Sequence, residues 1–209
     1  MLRGSGWPLP DGWMGRARQI FAPCLALVLS GAADPESAPE TLSVDAGQSV
    51  LTFHAINTLD QFDATAAGLS GSITLTNARP TAGTVQFPAA QLKTGIGGRD
   101  HNMDKPEYLD TDHFRTIGLD FVSLDGPAVS EGRSTGTLHG KLHVKDHMVA
   151  VTAQVTYWRK GGRLEVTGGF PLDIRTLGME PPTVAIVQRM EPVIQIAFRI
   201  VFTASAAGH

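Results

Sequence analysis

The sequence predicts an all-β fold, an antiparallel barrel or sandwich of about eight strands with one short helical insert near residues 99–113. Three observations predict it. Apolar residues recur with period two along most of the chain, the pattern of strands with one buried face. Thr, Val, Ile and Gly abound while helix-favouring blocks of Ala, Glu, Lys and Leu are scarce, so composition leans to β structure. The charged run RDHNMDKPEYLDTDHF, starting at Arg99, is the one strand-poor interval inside that pattern.

The chain begins with a segment that does not belong to this pattern. Ile20 opens the apolar run IFAPCLALVL, preceded by Arg16 and Arg18 and followed by the small residues Ser30, Gly31, Ala32 and Ala33. That is the layout of a secretory signal, and about ten apolar residues fall short of the roughly 20 needed for a membrane span. The expectation is a signal peptide over residues 1–33, with translation starting at Met14, then a mobile leader over 34–40. A β domain over 41–205 follows. Loss of residues 1–33 removes Arg3, Arg16, Arg18 and Asp11, leaving 14 basic and 19 acidic residues, a net charge of −5. A mildly acidic surface argues against a nucleic-acid partner, which rewards a basic face. The single cysteine, Cys24, lies in the signal, so the mature chain is expected to carry no disulfide or thiol chemistry.

Along the domain, Leu51, Phe53 and Ala55 share the first apolar face. Ile73 and Leu75 follow in GSITLT, then Val85, Phe87 and Ala89 in TVQFPAA. After the charged interval, Ile117, Leu119 and Phe121 alternate with Gly118, Asp120 and Val122. Leu138, Leu142 and Val144 make the next face, and Val149, Val151, Ala153, Val155 and Tyr157 the longest one. Leu164 and Val166 form a shorter pair, and Ile194, Ile196, Phe198, Ile200 and Phe202 close the series. Lys145-Asp146 and Lys160-Gly161-Gly162 are turn signals between them. Large inner residues alternate with small ones such as Ala55, Ala89, Gly140 and Ala153, which permits an internal cavity and also permits tight strand packing.

The candidate chemistry is sparse. His139, His143 and His147 stand four apart, but on a strand that is roughly 13 Å, too far for one ion with ligand bonds of about 2 Å. The outer, solvated face of the strand is their expected place, and no metal is expected. In the charged interval His101, Asp104 and Glu107 form a carboxylate–histidine group of the kind used in acid–base catalysis. The plainer reading is a capped surface helix docked through Leu109 and Phe114, with Asp110-Thr111-Asp112 as a turn and Arg99 pinning Asp100. G-L-S-G-S from Gly68 lacks the last glycine of a nucleophile elbow, and G-I-G-G-R from Gly95 lacks phosphate-loop spacing. No enzyme class is supported.

The run GGRDHNMDKPEYLDTDHFRTIGLDFVSL resembles the YceI-like family of secreted proteins, through Arg99, Asp100, Met103, Leu109, Asp110, Phe114, Phe121 and Ser123. GKLHVKDHMVAVTAQVTYW is similar to the family's next strand pair through Gly140, Leu142, Val144 and Val151, and Leu177-Gly178-Met179 resembles its Phe-Gly-Ile element. Departures are Asn102 in place of a His, Arg115 in place of a Pro, Asp146-His147-Met148 in place of Gly-Val-Thr, and an Arg displaced to Arg175. The resemblance implies an eight-stranded, lipocalin-like antiparallel barrel in the periplasm. It implies a non-enzymatic carrier for a long isoprenoid, a polyprenyl lipid or isoprenoid quinone, held without any other cofactor. The residues expected to line its interior are Leu51, Phe53, Ile73, Leu75, Val85, Phe87, Leu119, Phe121, Leu142, Val151, Val155, Ile196 and Phe198. Arg99 is the expected neighbour of a polar head. Transient contact with the inner membrane or a membrane redox protein, and a homodimer, are further expectations. The alternative is a barrel with a filled core that serves as a stress-response or partner-binding module without lipid.

Overall fold

The computed structural model describes residues 38–184 and 188–204, so the expected signal peptide lies outside the described residues. Thirteen strands are described: β1 (Glu40–Val44), β2 (Val50–Ile56), β3 (Gln61–Ala66), β4 (Ser70–Thr76), β5 (Arg79–Pro88), β6 (Leu92–Lys93), β7 (Thr116–Asp125), β8 (Ser134–Val144), β9 (His147–Lys160), β10 (Arg163–Asp173), β11 (Thr183–Val184), β12 (Gln188–Arg189) and β13 (Val193–Ala204). One helix, α1 (Gly97–Met103), stands between β6 and β7. Glu40, the last residue of the expected leader, opens β1 and is held by both guanidinium nitrogens of Arg159 on β9.

All barrel pairings are antiparallel, and the sheet closes because β13 pairs with β1 as well as with β10 and β2. Around the ring run β1, β4, β5, β7, β8, β9, β10 and β13, eight strands closed on themselves, while β2, β3 and β6 extend from β13. The expected barrel is therefore what the chain forms, and the sandwich is not. Three walls are bent strands. β1 and β2 lie end to end along β13, which pairs with β1 through Phe202–Ala204 and with β2 through Gln195–Arg199. At the break, Asp45 N–H donates to the Val201 carbonyl (2.8 Å) and Val201 N–H donates to the Ser49 hydroxyl (3.0 Å), so β13 keeps its hydrogen bonds across the gap. β3 and β4 form the second bent wall, and β5 with β6 the third, joined by a short 3-10 turn at Ala89–Gln91. Ala67 N–H donates to the Gln91 carbonyl (3.1 Å) where these two bends meet.

β10 is longer than the Leu164–Val166 pair suggests. It continues through Gly168 and Gly169, residues that usually weaken strands. Here they are required, since a Cβ at Gly168 would lie 2.6 Å from the Gln154 carbonyl oxygen on β9, and one at Gly169 would lie 2.5 Å from the Ile196 carbonyl oxygen on β13. A bulge between Phe121 and Ser123 places Val122 outside and returns Leu124 to the core.

The interior is packed unevenly. Towards the end carrying the β9–β10 turn, Leu42, Leu75, Val155, Tyr157 and Leu164 are fully buried against one another in one core. Towards the other end, where α1 and the β10–β13 connection lie, space is left.

Candidate functional site

Two apolar chambers follow one another inside the barrel. The inner one has a volume of about 100 Å³ and the outer one about 430 Å³. Ten of the thirteen predicted interior residues line the inner chamber: Leu51, Phe53, Ile73, Val85, Phe87, Leu119, Phe121, Leu142, Ile196 and Phe198. Phe53 and Leu142 also line the outer one. Leu75, Val151 and Val155 are buried in the packed core and line neither.

Most of the outer chamber is built from segments that alternation does not mark. Phe62 and Ala64 come from β3, Leu92 from β6, and Met103, Tyr108 and Leu109 from α1 and the turns after it. Leu172, Ile174, Leu177, Met179 and Met190 come from β10 and the connection beyond it. Three methionines among these give the wall unbranched, adaptable side chains. The YceI-like resemblance touched this wall through Met103, Leu109 and Leu177-Gly178-Met179; nothing in the residue pattern marked Phe62 or Met190.

Two carboxylates hold the mouth segments. Asp100 accepts from the Thr94 hydroxyl (2.6 Å) and the Thr94 N–H (2.7 Å), fixing the first turn of α1 to the loop before it. The hydroxyl first, then the backbone N–H, holds the Asp100 carboxyl below the ordinary carboxylate value. Asp173 caps the 3-10 turn Ile174–Leu177, accepting from Arg175 N–H (3.0 Å) and from its guanidinium (2.6 Å). The Arg175 side chain lowers the Asp173 carboxyl in the same way. Gly178 then ends the turn at φ 67, a left-handed cap that favours glycine, and a Cβ there would lie 2.9 Å from His147 Nε2. That cap brings both Leu177 and Met179 to the chamber wall.

Both lowered carboxyls stabilise the folded mouth above the unfolded value of 3.8, and the contribution is lost as pH falls through their lower folded values. His113 acts with the opposite sign. The Asp110 carboxylate, 2.8 Å away, raises its pKa above 6.5, so its contribution is full below 6.5 and is lost as pH rises through the folded value. The mouth is thus expected to be best held between about pH 3.8 and 6.5. In an NMR titration the Thr94 amide resonance should move with a midpoint below 3.8; a midpoint at or above that value would contradict the Asp100 clamp.

Arg99 does not pin Asp100; Thr94 holds that carboxylate through one oxygen, and the guanidinium turns instead to β3 and the loop before it. Its guanidinium lies 3.8 Å from the centroid of the Phe62 ring, a cation–π contact, with Nη2 3.7 Å from the Asp60 carboxylate. Nη1 is buried without a hydrogen-bond partner. Among the side chains lining the outer chamber Arg99 carries the only charge, and Asn57, Asn102 and Tyr108 are the other polar ones.

The helical insert is shorter than expected and starts earlier: α1 ends at Met103, and residues 104–113 are turns. Pro106 lacks the N–H needed to carry a helix on, and Asp110 adopts φ 48 as the turn residue. Leu109 docks on the barrel; Phe114 is only half-buried and lies outside the core. His101 and Glu107 are exposed, and Asp104 pairs with Lys93 at 3.3 Å, so these three do not line the chamber. His139 and His143 share β8 and pair with Asp125 and Asp120, while His147 lies past the turn on β9 rather than on the same strand.

Solved structures with the same barrel have low sequence identity to it. A polyisoprenoid binding domain from Saccharophagus degradans, implicated in plant cell wall breakdown, matches with a TM-score of 0.64 at 17% identity, over 78% of this chain and 98% of that one. BcnA from Burkholderia cenocepacia matches with a TM-score of 0.64 at 16% identity, over 76% and 98%. The YCEI protein of Campylobacter jejuni matches with a TM-score of 0.57 at 8% identity, over 69% and 85%. No curated protein sequence matches the chain. The model of the YceI-like domain matches residues 42–202, from β1 into β13. With that domain spanning the whole barrel, the chain belongs to the YceI-like family.

Proposed function

We propose that this protein is a periplasmic, non-catalytic carrier for a long isoprenoid, a polyprenyl lipid or isoprenoid quinone, whose polar end rests beside Arg99. The outer chamber carries the reading: about 430 Å³ of apolar space with one cationic side chain at its edge. Pockets for small ligands run from roughly 300 to 1,000 Å³ and use few polar groups to fix orientation. The polyisoprenoid binding domain that shares the barrel supports the choice of ligand class. A filled-core module would need this space packed, and it is not.

Enclosing roughly 400 Å² of hydrocarbon at about 25 cal/mol/Å² gains on the order of 10 kcal/mol gross. Association costs of roughly 4–15 kcal/mol oppose that gain, so the net affinity is modest and suits delivery. Ile96, which lines the outer chamber, is 53% exposed, and Leu59, in the loop between Asn57 and Asp60, is 72% exposed; these uncovered apolar side chains support transient contact with the inner membrane or a membrane redox protein during loading. A homodimer belongs to the same proposal.

Organic extraction of protein purified from its native host, followed by mass spectrometry, tests the carrier reading. A stoichiometric polyprenyl species is expected; clean protein that also refuses added quinone would end it. Arg99 has a separate test. Its free Nη1 is a donor, so it selects a head that accepts, such as a quinone carbonyl or a phosphate. Arg99→Ala should weaken binding of such lipids about tenfold, the scale of one charge-assisted hydrogen bond, and leave a plain hydrocarbon of the same length unaffected. Equal losses for both ligands would place the effect in packing instead.

A further inference from the structure

The two chambers are separated by three side chains that line both: Phe53, Ile117 and Leu142. They come from opposite walls. In the closed ring β8, which carries Leu142, lies across the barrel from the wall formed by β1 and β2, which carries Phe53, and β7 with Ile117 is next to β8. Phe53 has the largest side chain of the three. Its ring is braced from the side by Phe87, with centroids 6.1 Å apart and planes at 60°. Beyond this partition the inner chamber is as apolar as the outer one, with no charged side chain in its lining.

We propose that Phe53 is the residue that sets ligand chain length, a stop against which the tail of the carried isoprenoid ends, with the inner chamber left unused behind it. The proposal rests on the carrier reading and adds its specificity. Burial of each further isoprene unit strengthens binding only while apolar space remains, so affinity climbs with chain length and then levels off. The length at which it levels reports where the stop stands. The inner chamber has about a quarter of the outer volume, so opening it should admit about one more isoprene unit than the outer chamber alone.

The experiment measures displacement of a fluorescent apolar probe by geraniol, farnesol, geranylgeraniol and longer polyprenols. In the unaltered protein affinity should rise roughly tenfold or more with each added unit and then become flat. In Phe53→Ala the flat region should begin about one unit later, and in Phe53→Ala/Leu138→Phe, where Leu138 lines only the inner chamber, it should return to the original length. Leu138→Phe alone fills space the tail does not reach and should leave the profile as it is. This single substitution keeps the question open to test even if Phe53→Ala does not fold. If Leu138→Phe shortens the profile, the tail already passes Phe53 and the proposal is overturned. A Phe53→Ala profile that levels at the original length overturns it as well. Failure of the unaltered protein to bind any member of the series is the different result that removes the carrier reading itself.

Discussion

Phenylalanine at both Ala55 and Ala64 should abolish lipid uptake, lowering affinity at least a hundredfold, while the melting temperature holds or rises. Both alanines are buried and both line the outer chamber, on neighbouring strands β2 and β3. Adding large side chains to a packed core usually costs about 1–3 kcal/mol through forced rotamers and backbone shifts. Here the rings enter a void of about 430 Å³, so that cost is avoided and new apolar contact is gained. The same rings occupy the volume that the tail needs, and two lost isoprene units account for a hundredfold at roughly tenfold each. Phenylalanine suits the test because it brings no polar atom that would need a partner in the chamber. Probe displacement and thermal melting on one preparation decide the matter. Undiminished uptake would mean that lipid binds elsewhere.

Tyr157→Ala should have the reverse effect, a large loss of stability with no direct effect on the ligand site. Tyr157 is 1% exposed in the packed end of the barrel, and its hydroxyl donates to the Pro127 carbonyl at 2.6 Å. It lines neither chamber. Removing a buried aromatic ring costs about 3–5 kcal/mol, which at roughly 2–4 °C per kcal/mol lowers the melting temperature by on the order of 10 °C. Tyr157→Phe keeps the ring and removes only the donor, at a cost of about 1–3 kcal/mol for the carbonyl left without it. Burial pushes the Tyr157 phenol above its ordinary value, so the proton it donates stays in place until pH climbs past 10. Calorimetry of the two variants should rank them in that order. A Tyr157→Ala protein that melts with the parent would show that this end of the barrel does not hold the fold together.

These two substitutions address a packed end and a hollow end of the barrel, and that division was only partly legible in the residues. Alternation at Phe53, Phe87, Phe121, Phe198 and the other inner positions located all eight walls. It did not reveal β1 or β3, because ETLSV and QFDATA are short, carry small or polar residues, and are held as strands by their partners, β13 and β4 for β1 and β2 and β6 for β3. It shortened β10, because Gly168 and Gly169 read as strand-weakening until β9 and β13 approach closely enough to exclude any side chain. The charged interval was visible as an insert, yet the role of Arg99 was not. Arg99 finds Phe62 and Asp60, about 40 residues earlier in the chain, and nothing local to it specifies that meeting.

What the sequence determined by itself is the class of structure and the polarity of its faces, since period two places side chains alternately on either side of any strand, whatever its neighbours. Turn chemistry marked short connections such as Lys145-Asp146 and Lys160-Gly161-Gly162, which make the strands on either side of each adjacent. Only the tertiary structure decided how much of the interior is left empty and where. Inner-facing Leu75, Val151 and Val155 meet a packed core, while Phe53 and Leu142 face open volume, although all five obey the same alternation. The difference is set by how far the opposite wall and the capping loops stand from each residue, a distance between parts of the chain that no local pattern encodes.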